Sequence, residues 1–101
     1  MEKIGSKTIE FKLEFDVYPC TCKVGDTVWF DDGIPDEDGT ITCHSYRHGK
    51  VTDIEPDKWW VYDDGKKEIG FVTVEVEDDE FFAGQKFSVA FKNIIYQSPT
   101  N

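Results

Sequence analysis

Hydrophobic and polar residues alternate along most of this chain with a period of two. From Thr8 to Tyr18, Ile9, Phe11, Leu13, Phe15 and Val17 alternate with Glu10, Lys12, Glu14 and Asp16. That pattern predicts a half-buried strand, which Pro19 ends. A turn at Lys23-Val24-Gly25-Asp26 and a second strand over Thr27-Val28-Trp29-Phe30 follow. Residues 31–39, DDGIPDEDG, carry loop chemistry throughout. Thr40 to Tyr46 reads as a third strand and Lys50 to Ile54 as a fourth, with Arg47-His48-Gly49 turning between them. Glu55-Pro56-Asp57 is a break before the short aromatic strand Trp59-Trp60-Val61-Tyr62, and Asp63-Asp64-Gly65 is a hairpin signal. Ile69 to Val76 is a further strand. Glu77-Asp78-Asp79-Glu80 is too charged for a strand interior, and Lys86 to Tyr96 closes the series.

No segment has a convincing helical period, although a short helical turn fits Asp79 to Gly84. Six or seven short strands with closely spaced turns imply an all-β fold, a small antiparallel sandwich or an SH3-like barrel. Val24-Gly25-Asp26-Thr27-Val28 and Gly49-Lys50-Val51 resemble the strand starts of SH3-like barrels. The 101 residues are one domain's worth, with a loose tail at 97–101. Fifteen aromatic residues, eight of them Phe, supply the core.

The net charge of −10 is unevenly spread. Between Asp31 and Glu80 there are 16 acids and 5 bases, while the remainder carries 5 acids and 6 lysines. Such a field repels nucleic acid backbones and attracts basic proteins. The expected partner is therefore a basic protein, with no direct nucleic acid contact. The N-terminus has no continuous apolar run of the kind a secretory signal needs. No run reaches the length of a membrane span. A cytoplasmic location and no membrane partner are the expectation.

In a reducing compartment, clustered cysteines point to metal or redox chemistry more than to a structural disulfide. Cys20 and Cys22 are two apart, so in an extended segment their side chains share a face. Cys43 would lie on a neighbouring strand. His48 falls in the predicted turn after it, where the backbone can curl back, and His44 is the substitute. The expected set is Cys20, Cys22, Cys43 and His48 around a structural zinc, because three thiolates and an imidazole select that ion and leave no open position. Two other readings stand beside it. Cys43 could be a buried small hydrophobe with both histidines at the surface, or Cys20 and Cys22 could serve a redox role.

Asp36-Glu37-Asp38 hints at a calcium loop, but Ile34 and Ser45 occupy the first and last ligand positions of the EF-hand template, so a solvated loop is the better reading. The acids Asp31, Asp32, Asp36, Glu37, Asp38, Asp63, Asp64, Asp78 and Asp79 are candidates for a docking surface as well as for plain solubility. Strand alternation would send Trp59 and Val61 inward and leave Trp60 and Tyr62 facing outward among acids, which makes Trp60 a candidate interface anchor. No nucleophile elbow, phosphate-binding glycine loop or H-E-x-x-H motif is present, and an enzyme is not expected.

A short, acidic, all-β chain with the spacing Cys20-Thr21-Cys22…Cys43…His48 resembles the small phage- and prophage-encoded anti-CRISPR proteins of type II systems that contain a metal. The resemblance is one of overall profile and carries over no binding residues. It implies a non-enzymatic inhibitor that binds Cas9, whose nucleic acid channel is strongly basic, and blocks guide or target use. The alternative is a zinc-stapled structural or protein-interaction module of a phage or bacterial particle.

Overall fold

A computed structural model describes residues 2–9, 13–34, 36–38, 40–77 and 81–99. The fold is nearly all β. Strands β1 (Gly5–Ile9) and β2 (Leu13–Val17) form a two-stranded antiparallel sheet. Strands β3 (Thr27–Asp31), β4 (Tyr46–Val61), β5 (Lys67–Val76) and β6 (Lys86–Ala90) form a four-stranded antiparallel sheet in sequence order, curled into a half-barrel. A 3-10 turn at Phe91–Asn93 follows β6, and Ile95 then makes an antiparallel bridge to Trp29. The chain thus returns from β6 to the free edge of β3.

The alternation of β3 and β5 builds the core. Val28, Phe30, Val72, Val74 and Val76 are buried, with Val51 of β4, Val89 of β6 and the closing residues Phe91 and Ile94. These β-branched and aromatic side chains suit a pleated surface buried on one face. Phe30 and Phe87 meet with their ring centroids 5.4 Å apart.

Several strand boundaries differ from those expected. Within Thr8 to Tyr18 lie the end of β1 and all of β2, with Ile9 opposite Leu13, while Glu10, Phe11 and Lys12 lie outside the described residues. The period of two runs on from one strand into the other with no Gly, Pro or Asn between them, so alternation alone could not reveal two strands. Thr40 to Ser45 is loop. Arg47-His48-Gly49 is not a turn but part of β4, paired in that order with Phe30, Trp29 and Val28 of β3. Gly49 is there for close approach: a Cβ on it would stand 2.0 Å from the Glu75 carbonyl oxygen. Glu55-Pro56-Asp57 does not end the strand either. It is a bulge between Glu55 and Trp59 within the 16 residues of β4, which accommodates a proline that a regular ladder would reject. The hairpin at Asp63-Asp64-Gly65 is as expected, with Tyr62 N–H bonded to Lys66 O and Gly65 at φ +87°. Residues 81–84 form a turn, tied back by Gly84 N–H to Val76 O.

Because β3 pairs only with Tyr46–Lys50, the outer half of β4 and the start of β5 extend as a two-stranded arm. The β1–β2 hairpin leans against it. Phe15 of β2 is fully buried, with its ring centroid 6.0 Å from that of Trp59, and Lys7 pairs with Asp57.

Candidate functional site

The arm exposes two adjacent tryptophans close to the acids of its tip. Trp59 and Trp60 retain 46% and 58% of their surface in solvent. Trp59 therefore does not enter the core as alternation suggested. The core lies under the inner halves of the strands, and at Trp59 the ring meets Phe15 of the N-terminal hairpin instead. Trp60 faces outward, as expected, and pairs across the ladder with Glu68.

Trp60, Tyr62, Lys58, Phe71 and Ser88 line a shallow groove. Lys58 lies over the Phe71 ring and donates to Ser88 Oγ at 3.0 Å. Tyr62 donates to Glu68 Oε2 at 3.0 Å. Burial first, then the charge of Glu68, pushes the Tyr62 phenol up to about 12. A second depression begins at Tyr62 and Ser88 and runs past Glu68 and Asn93 to Asp31 and Asp32. The two share Tyr62 and Ser88, so Trp60 and the acidic end of β3 lie along one continuous trough. Asp63 and Asp64 stand exposed at the arm's tip, adjoining Tyr62.

The acids of this trough are not equivalent. Asp31 is mostly enclosed and accepts the backbone N–H groups of Gly33 and Ser45 at 2.9 Å each through Oδ1, while Oδ2 meets His44 Nδ1 at 2.5 Å. Burial pushes its carboxyl pKa up, but these hydrogen bonds outweigh burial and hold it below the ordinary value. Asp32 accepts from Arg47 Nε at 2.9 Å, and that guanidinium stacks on Phe82. Asp31 thus fastens both ends of the loop to β3, with little of its charge left for a partner, while Asp32 pairs with Arg47 of β4 and stays partly exposed. Asp36, Glu37 and Asp38 are exposed on that loop, and Asp38 caps the Thr40 N–H. Asp78 and Asp79 lie outside the described residues.

The thiols divide differently from the expected zinc set. Cys20 and Cys22 are together, Sγ to Sγ 3.4 Å, both packed against the core. Cys22 is buried, and desolvation first, with its neighbour Cys20, pushes its thiol up to about 12. Cys43 is exposed on the loop before β4. His48 stacks on Trp29, ring centroids 4.4 Å apart. Trp29 alternates with Val28 and Phe30, which are in the core with Cys22, so strand geometry directs the His48 pair to the other face. Since residues 47–49 are strand and not turn, the backbone does not curl His48 back toward the thiols. His44, the substitute, is engaged by Asp31 and stacks on Tyr46. Among the described residues, no three His, Cys, Asp or Glu side chains are grouped to hold a metal ion.

Sequence reasoning missed Glu68, Lys58, Phe71 and Ser88. Counting outward from the Asp63-Asp64-Gly65 hairpin would have set Trp60 opposite Glu68. Nothing local announced Ser88, which β6 brings beside β5. No helix among the described residues is long and apolar enough to cross a membrane. The chain matches no protein-family model, no curated protein and no solved structure.

Proposed function

We propose that this protein acts by occupancy, docking the Trp60 trough and the exposed acids of the arm tip and the 36–38 loop onto a basic protein, without chemistry on its partner. The observation that carries this reading is an exposed Trp60 beside a groove, on the same arm whose tip exposes Asp63 and Asp64. A large aromatic in a desolvating contact supplies affinity, and surrounding acids supply steering and register. The order β3-β4-β5-β6, the 3-10 turn and the bridge back to β3 support the finer description of the half-barrel as an SH3-like barrel, a scaffold whose loops and edges commonly carry binding surfaces. The profile resemblance to type II anti-CRISPR proteins makes a Cas9-type effector the first partner to test, since its nucleic acid channel is basic.

The test is a titration of target DNA cleavage against this protein at fixed effector concentration, with Trp60→Ala and the pair Asp63→Lys, Asp64→Lys alongside the parent. Inhibition should saturate near one protein per effector and weaken as salt rises, because exposed charges are screened beyond about 8–10 Å. Trp60→Ala should keep the parent's melting temperature, the charge-reversed pair should lose only a little through the Lys66 N–H that Asp64 accepts, and both should bind at least about tenfold more weakly, which is about 1.4 kcal/mol. Full inhibition at a small fraction of one equivalent, growing with time, would mean turnover and defeat the occupancy reading. Unchanged binding by both variants would remove the trough from it.

A further inference from the structure

The Cys20–Cys22 pair lies apart from the acidic trough and has no part in the docking reading. The structure holds it in a braced segment. Between the two cysteines, Thr21 N–H donates to Tyr96 Oη at 3.3 Å. After them, Lys23 N–H donates to Asp26 Oδ2 at 2.8 Å and Asp26 N–H donates back to Lys23 O. This turn is fastened to β4 through Gly25 N–H to Val51 O at 2.8 Å and Val51 N–H to Asp26 O at 2.9 Å. In this segment the two sulfurs stand 3.4 Å apart, with Cys20 half-buried and Cys22 buried. Among the described residues no third ligating side chain joins them. Two-sulfur chemistry is what this arrangement supports.

We propose that Cys20 and Cys22 form a reversible redox site that closes to an intramolecular disulfide by exchange with a low-molecular-weight disulfide such as oxidised glutathione. The more accessible Cys20 attacks as its thiolate, breaking the glutathione S–S bond and releasing one glutathione thiolate, which takes up a proton. Cys22 then loses its proton to solvent as its sulfur attacks Cys20 Sγ and displaces the second glutathione. One glutathione disulfide is reduced to two thiols, and two protein thiols are oxidised to one disulfide, a transfer of two electrons. Closing the gap from 3.4 Å to about 2.05 Å is a local movement of the two side chains. A ring closed across a single intervening residue is strained, and strained disulfides are the easily reduced ones. Cys43, exposed on its loop, supplies the internal comparison.

The full-length protein is equilibrated in glutathione buffers of graded ratio, quenched with acid and alkylated, and its peptides are read by mass spectrometry. The expected result is that the peptide holding Cys20 and Cys22 loses two hydrogens and both alkylation tags together, with no glutathione attached. Cys43 should instead carry glutathione or an alkyl tag. Cys22→Ser should accumulate the mixed disulfide at Cys20. Cys20→Ser, which leaves the buried thiol in place, should leave Cys22 alkylatable only after unfolding. The proposal is overturned if Cys20 and Cys22 stay alkylatable at every ratio that modifies Cys43, or if each carries its own glutathione. It is equally overturned if the protein as purified holds one zinc that keeps both thiols unreactive until a chelator removes it.

Discussion

Trp29 and Ile95 exchange both backbone hydrogen bonds, each N–H to the other's carbonyl at 2.8 Å. One residue pair thereby joins the C-terminal segment to the edge of β3 and sets Ile94, 4% exposed, into the core beside Val28 and Phe30. Curling the sheet brings its two ends near one another, and this bridge is what spans the gap.

Ile94→Ala should therefore lower stability by about 2–5 kcal/mol, the range for truncating a buried aliphatic side chain. Ending the chain after Asn93 should cost more still, because the bridge goes as well. Ending it after Gln97 should change stability by less than about 0.5 kcal/mol. Urea denaturation of the three variants checks the order.

Gly49→Ala should be among the most damaging small substitutions available. Its Cβ would meet the Glu75 carbonyl oxygen and Val76 Cα, both backbone atoms that cannot rotate away. We expect a loss of about 3 kcal/mol or more by overpacking. Gly5→Ala is the control, since no heavy atom lies within 4 Å of the Cβ it would add. Comparable melting temperatures for the two variants would contradict the close approach of β4 and β5.

The Asp31 carboxyl should make the fold acid-sensitive. Its pKa is lowered in the folded state from the ordinary 3.8. Its contribution is therefore complete above 3.8 and is lost as pH falls through the lower, folded value. Asp31→Asn should cost stability at neutral pH and flatten the acid limb of the stability profile. Unfolding curves collected from pH 6 down to about 2 should show the parent and variant converging at the acid end.

At the alkaline end Tyr62 is the group to follow. Its pKa is raised from 10.0 to about 12. The raised value contributes stability that is present below pH 10 and is lost as pH rises toward 12. Spectrophotometric titration of the four tyrosines should show a phase near pH 12 that Tyr62→Phe removes. A Glu68→Gln variant should bring that phase to lower pH, because it removes the facing charge. If Tyr62→Phe leaves the late phase intact, the Tyr62–Glu68 contact is not formed as described.

What the sequence by itself determined is the all-β character, the Asp63-Asp64-Gly65 hairpin, the Ile69 to Val76 strand and the outward position of Trp60. All of these rest on neighbours in the chain: a period of two, a turn residue that needs positive φ, a solvent face. Tertiary structure decided the rest. Residues 8–18 keep one alternating pattern on both sides of a reversal, so only pairing with a second strand could reveal the hairpin. Gly49 and Pro56 look like breaks in the chain, yet β5 lying alongside turns one into a close-packing site and the other into a bulge. The expected metal ligands parted for the same reason. Putting residues 47–49 in a strand sends His48 with Trp29 to the face away from Cys22, whereas Cys20 and Cys22, held by local turn geometry, remain side by side. Asp31 and Asp32 read as free surface charge in one dimension. Only the fold, by bringing His44 to one and Arg47 to the other, turned Asp31 inward as a fastener and tied Asp32 at the surface, and left the exposed acids of the arm tip and loop to face solvent.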